Sequence, residues 1–156
     1  MVFENKKMED LFDPRLRHPF TLTISGPSKA GKTHLIDRIL RDWSNCTVGG
    51  GVKPDAIFVW YQNYQPLYDG WKAHFHKGIS ENEEEAIELL DPSSTNVLII
   101  DDLDTPTGKD RSGFIAQIFS IFSHHRSTSA LFSSHHVFNQ NKRSVIISST
   151  SWDFDD

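Results

Sequence analysis

Hydrophobic residues fall in short runs along this chain, separated by polar stretches that carry glycine or proline, and strand-like runs alternate with helical periodicity. A charged lead-in over residues 1–19 is broken by Pro14 and Pro19. The run from Phe20 to Ser25 (FTLTIS) then predicts a short strand that Gly26 and Pro27 end. From Lys32 to Trp43 the apolar residues Leu35, Ile36, Ile39, Leu40 and Trp43 recur at helical spacing, which predicts an amphipathic helix. A glycine-rich loop from Asn45 to Lys53 precedes a second strand, Ala56 to Tyr61 (AIFVWY), and a polar, aromatic stretch runs on through Trp71. Glu81 to Leu90 reads as an acidic helix stopped by Asp91-Pro92. Val97 to Ile100 (VLII) is continuously apolar, as expected of a central parallel strand buried on both faces. After a polar loop from Asp104 to Ser112, helical spacing returns over Gly113 to Phe122. Ala130 to Ser133 and Val145 to Ile147 are the last strand candidates. The alternation predicts an α/β fold, a mainly parallel sheet flanked by helices.

Composition narrows the class. The chain has 156 residues, room for one domain, and a hydrophobic fraction of 37%, enough for a buried core. Its net charge of −5 argues against coating nucleic acid by bulk charge, although a local basic surface is compatible with it. The single cysteine, Cys46, excludes a disulfide framework and a cysteine-based zinc site. The start lacks the apolar centre of a signal peptide, and no apolar run approaches the ~20 residues that span a bilayer. These features predict an intracellular protein, neither secreted nor transmembrane.

The chemistry begins at Gly26-Pro27-Ser28-Lys29-Ala30-Gly31-Lys32-Thr33, which matches G-x-x-x-x-G-K-[ST] between a strand and an amphipathic helix. In this pattern glycines let backbone N–H groups close around a phosphate, and the helix N-terminus adds a favourable dipole. Lys32 would reach the β- and γ-phosphates and Thr33 would give a hydroxyl to Mg²⁺. Lys29 is unusual where small residues are commoner; it would either interfere with the phosphates or point outward. The acids that end the apolar strand, Asp101 and Asp102, complete the pattern. Asp101 is the candidate Mg²⁺-side carboxylate, and Asp102 stands where many such ATPases place a water-activating Glu. Aspartate is one methylene shorter, so the water would have to sit closer or be held by another group.

The stretch Asn141-Lys142-Arg143-Ser144 lacks the Asp of a guanine-reading motif, which disfavours a GTPase. An Arg-rich lid, usual in small-molecule kinases, is not visible. The pattern fits an additional-strand (RecA-like) P-loop ATPase, in which another strand separates the acidic strand from the phosphate loop. Two His-His pairs stand out, His124-His125 and His135-His136. A polar side chain at the end of the strand after the acidic one can touch the γ-phosphate; His135 is the first candidate for this role and His136 the second. A metal site drawn from these pairs with His74 and His76 is a weaker reading.

His18-Pro19-Phe20, the phosphate loop, the stretch Trp60-Tyr61-Gln62-Asn63-Tyr64-Gln65-Pro66-Leu67-Tyr68, Ile99-Ile100-Asp101-Asp102-Leu103, and Ser123-His124-His125-Arg126-Ser127-Thr128-Ser129 follow one another in a recognisable order. In this the chain, over roughly Arg15 to Ser149, resembles the genome-packaging ATPases of Polinton-like (Maverick, adintovirus-like) elements. These belong to the FtsK–HerA superfamily, which also holds the poxvirus packaging ATPases. The phosphate loop and acidic strand are generic; Gln65-Pro66-Leu67-Tyr68 and Ser123-His124-His125-Arg126 make the resemblance specific. It implies an ATP- and Mg²⁺-dependent motor that acts on double-stranded DNA as a homo-oligomeric ring and loads it into capsids, with capsid proteins as partners. The location it implies is the host cytoplasm or nucleus, or the virion.

In a ring, an arginine of one subunit completes the next subunit's site; Arg126 is the first candidate and Arg143 the second. The loop from Asp104 to Ser112, with Lys109 and Arg111, is the candidate contact to DNA phosphates. Tyr61, Tyr64, Tyr68 and Trp71 are expected to be packing residues. The resemblance also has departures. His135-His136 stands where that family usually has Gln-Asn, and the family pattern continues beyond Arg143, where this chain turns acidic over Ser148 to Asp156. The sequence therefore divides into a lead-in (1–19), an ATPase domain (20–150) that is either truncated or closed by the strand at Val145 to Ile147, and an acidic tail (151–156). The alternatives to a hydrolysing motor are a catalytically degenerate nucleotide-binding interaction protein and a P-loop small-molecule kinase.

Overall fold

The computed structural model describes residues 13–78, 88–102 and 126–135, together with the backbone of residues 138–139 and 142–143. Among these residues the fold is α/β, built on a five-stranded, all-parallel sheet. Its strands are β2 (Thr21–Ser25), β4 (Ala56–Tyr61), β5 (His74–Lys77), β6 (Asn96–Asp101) and β7 (Thr128–Ser134), in the spatial order β2-β7-β6-β4-β5. From β2 the chain crosses to β4, two places beyond its neighbour, adds β5 at the outer edge, and then fills back through β6 and β7. Thus β7 lies between β2 and β6, and all three strands deliver their C-terminal ends to one edge of the sheet.

The central strand β6 is buried at every position. Because alternate residues face opposite sides, Val97 and Ile99 look to one face with Val59 and Leu131. Leu98 and Ile100 look to the other, where Trp60 and Ala130 are also buried. The first face is covered by α1 (Lys32–Arg41), whose Ile36 and Ile39 pack with Phe20, Trp43, Tyr68 and Trp71 into one core. Leu35, on the helical pattern in the sequence, is 48% exposed: the buried ridge runs through Ile36, Ile39 and Trp43, and Leu35 lies one step around the helix from it.

The helix predicted to reach Trp43 breaks at Asp42, whose N–H bonds Arg38 O and whose carbonyl starts a separate turn, α2 (Trp43–Cys46). The predicted glycine-rich loop opens with a short strand, β3 (Thr47–Val48), paired in parallel with β1 (Leu16–Arg17). Trp43 organises this corner: its indole N–H donates to Gly50 O at 2.8 Å and Thr47 Oγ1 donates to Trp43 O at 2.8 Å. A β-carbon on Gly50 would stand 2.8 Å from the indole nitrogen, so that position has no room for a side chain.

Between β4 and β5 the chain forms a 3₁₀ turn, Pro66–Gly70, which turns Tyr68 into the core. Asp37 on α1 holds the end of this turn by accepting from the Trp71 indole at 2.8 Å, and it pairs with Arg41 at 2.7 Å. Burial pulls the Asp37 carboxyl upward, but the hydrogen bonds from Arg41 and Trp71 outweigh it and leave the group below its usual value. A final parallel-to-antiparallel change comes at β8 (Phe138–Asn139), which pairs antiparallel with β9 (Lys142–Arg143). The predicted loop from Asp104 to Ser112, the helix from Gly113 to Phe122, the strand from Val145 to Ile147 and residues 81–87 of the helix predicted from Glu81 to Leu90 lie outside the described residues. Among the described residues no helix is long and apolar enough to cross a membrane.

Candidate active site at the C-terminal edge of the sheet

Loop 26–33 leaves the end of β2, where Gly26 N–H bonds Ser134 O at 3.1 Å, and runs directly into α1. Two left-handed residues shape it, Lys29 (φ 63°) and Gly31 (φ 90°). At Gly31 this conformation carries no steric cost, whereas the exposed Lys29 bears it as a non-glycine residue. Gly26 also stands in a tight place, since a β-carbon there would lie 3.3 Å from that of Ala30. The N-terminus of α1 has no side-chain cap and no acidic residue in its first turn, while Arg38 and Arg41 stand in its last turn. Its positive end is therefore uncompensated by the helix itself and faces the loop.

Lys32 and Thr33 open α1 and are both largely buried. The Lys32 ammonium folds back over the loop, donating to Gly26 O (2.9 Å) and Pro27 O (3.1 Å), and its third neighbour is His135 Nδ1 at 3.3 Å. All three of its donors are thereby used. Phosphate oxygens are stronger acceptors than these neutral groups, because the hydrogen bond becomes charge-assisted on both sides.

Thr33 Oγ1 donates to Asp101 Oδ2 at 3.0 Å. Asp101, at 1% exposure, is held by four donors: Thr33, Gln65 Nε2 (3.3 Å to Oδ2), the Tyr68 hydroxyl on the same oxygen, and Ser133 Oγ on Oδ1. Ser133 lies directly beside Asp101 in the β6–β7 register and also accepts the Asp102 N–H at 3.0 Å, so it ties the two acids together. Burial, followed by the hydrogen bond to the Asp101 carboxylate, pushes the Tyr68 phenol well above its usual value. The phenol stays protonated and remains a donor.

Asp102 itself turns out of the strand with φ 55°, a left-handed conformation that Asp tolerates better than most residues. Its carboxylate pairs with His135 Nε2, immediately beyond β7. The site thus brings together Gly26, Lys32, Thr33, Asp101, Asp102 and His135 of the residues that the sequence singled out. Gln65, Tyr68 and Ser133 join them. Tyr68 packs as expected, buried against Trp71 and Phe75, and is a polar member of the site as well.

Arg126 lies elsewhere. It precedes β7 at the opposite end of the sheet, about 20 Å of strand away, with its Nη1 3.4 Å from Leu90 O and its own carbonyl bound by Asn96 Nδ2 at 3.0 Å. Arg143 is described only as part of the β8–β9 hairpin backbone. His136, His124, His125, Lys109 and Arg111 lie outside the described residues. His74 and His76 are on β5, at the far edge of the sheet from β2.

Among the described residues no group of three or more His, Cys, Asp or Glu side chains is arranged to hold a metal ion alone. The Thr33–Asp101 pair suits a different kind of site. A hydroxyl that gives its one proton to a carboxylate keeps its lone pairs available, and an oxygen lone pair is a ligand type that suits a hard cation. No family model, no curated protein and no solved structure matches the chain.

Proposed function

We propose that this chain is a P-loop ATPase of the RecA-like, additional-strand type, hydrolysing Mg²⁺-bound ATP to ADP and phosphate. The observation that carries this reading is the contact of Thr33 with Asp101 at 3.0 Å across 68 residues of sequence. It couples the loop that would bind phosphate to the acid that would orient the metal, in the strand order that this class of ATPase uses. The uncapped start of α1 and the Lys32 ammonium supply positive charge where the β- and γ-phosphates would lie. Thr33 would ligate Mg²⁺ directly, and Asp101, already saturated with donors, would act on the metal through Thr33 and ordered water.

The motor function extends this reading through the sequence resemblance to packaging ATPases: a subunit of a homo-oligomeric ring that moves double-stranded DNA into capsids. In such a ring Arg126 would serve a neighbour's site, since it lies too far from the site of its own chain. Steady-state phosphate release from Mg²⁺-ATP, with and without double-stranded DNA, tests the proposal. DNA-stimulated release that is lost in Lys32→Ala supports the motor. Release that DNA leaves unchanged removes translocation but keeps the ATPase. Tight ATP binding without release leaves the nucleotide-binding interaction protein.

A further inference from the structure

The acid that would activate water in this site is not free to do so. Asp102 Oδ2 is engaged by His135 Nε2, and the left-handed turn at Asp102, pinned by its N–H to Ser133 Oγ at 3.0 Å, aims the carboxylate along the sheet edge toward β7. The other oxygen, Oδ1, is buried and has no hydrogen-bond partner among the described residues.

Proton counting then fixes the tautomer of the ring. The Lys32 ammonium has donors only, so His135 Nδ1, 3.3 Å away, must be the acceptor. A neutral His135 therefore carries its proton on Nε2, where the Asp102 carboxylate accepts it. A carboxylate that orients an imidazole from one side, leaving the opposite nitrogen as acceptor, is the arrangement by which hydrolases make histidine a base.

We infer that His135, oriented by Asp102, is the general base of ATP hydrolysis in this protein; the inference rests on the ATPase reading above. The oxygen of a water molecule bonds to the γ-phosphorus while the bond from that phosphorus to the β–γ bridging oxygen breaks, and ADP leaves with the electron pair. One proton of the water passes to His135 Nδ1 and from there to solvent. Asp102 accepts the Nε2–H hydrogen bond throughout and offsets the charge of the imidazolium. Lys32 gates the step. Without nucleotide its ammonium blocks Nδ1, and only phosphates that draw the ammonium away release the base.

The test uses the full chain with His135→Ala and His135→Gln, measuring ATP affinity and single-turnover cleavage of saturating Mg²⁺-ATP separately. Both variants should bind ATP within a few-fold of the parent protein and cleave it about 10²–10⁴ times more slowly. Added imidazole should restore part of the rate in His135→Ala, saturably, and substituted imidazoles should restore more as their basicity rises. Asp102→Asn should be as slow and should not respond to imidazole. Parent-like cleavage in His135→Gln, or no recovery with imidazole in a His135→Ala protein that still binds ATP, overturns the inference and leaves the ATPase reading standing. No cleavage by the parent protein overturns both.

Discussion

Tyr68→Phe isolates a single hydroxyl in the most crowded part of the site. Tyr68 is fully buried, and its ring lies 4.9 Å from Trp71 and 5.8 Å from both Tyr61 and Phe75, contacts that phenylalanine keeps. What disappears is one of four donors to the Asp101 carboxylate. A hydrogen bond to a charged group contributes about 1.5–3 kcal/mol. Since three donors remain, the loss should fall in the lower part of that range. In urea this corresponds to a midpoint lowered by about 1 M with an unchanged slope.

A second signature comes at alkaline pH. Burial, then the hydrogen bond to Asp101, raises the Tyr68 phenol above its usual 10.0. Below that pH both the folded and unfolded chains hold the proton, and this stabilisation is fully present. Above it the unfolded chain releases a proton that the folded chain keeps, so stability falls by up to about 1.4 kcal/mol per pH unit. Phenylalanine has no such proton, so the stability gap between the two proteins should narrow as the pH rises above 10. A variant as stable as its parent at neutral pH, with the same alkaline decline, would refute the placement of the hydroxyl on Asp101.

Gly50→Ala should destabilise the fold by about 1–3 kcal/mol in chemical denaturation, because the new methyl meets the Trp43 indole nitrogen at 2.8 Å; an unchanged midpoint would contradict the packing of this corner. His18 bonds Ser129 Oγ at 2.6 Å and Ser127 Oγ at 3.2 Å, and burial lowers it from its usual 6.5. The unfolded chain therefore takes up a proton that the folded chain resists. Thermal stability should decline as pH falls through about 6.5, and this part of the decline should vanish in His18→Asn.

Local pattern carried much of this architecture. Ala56–Tyr61 forms the strand that its apolar run predicts, and Val97 to Ile100 sits inside β6, extended by Asn96 and Asp101. The glycine-lysine-threonine motif likewise opens α1 at Lys32. Strand β5 was not legible. His74-Phe75-His76-Lys77 has one half-buried apolar residue, and only pairing along β4 makes it an edge strand. The break at Asp42 was equally hidden, because Trp43 still falls on the helical ridge after the helix has ended.

In the site, residue type indicated which acids and cations to look for. It did not reveal that Ser133 stands beside Asp101, which depends on the β6–β7 register, or that a 3₁₀ turn carries Gln65 and Tyr68 onto the same carboxylate. Nor could it reveal that Asp102 and His135, predicted for separate roles, meet each other. These are consequences of long-range pairing, to which sequence periodicity is blind.

If loop 26–33 binds the phosphates of ATP through Lys32, equilibrium dialysis with labelled ATP and Mg²⁺ will show it. The parent protein should bind ATP saturably, one per chain. Lys32→Ala, shown to be folded by its unfolding transition, should bind at least about tenfold more weakly, since a charge-assisted contact to phosphate is lost. Equal affinity in the two folded proteins would rule out phosphate binding through Lys32.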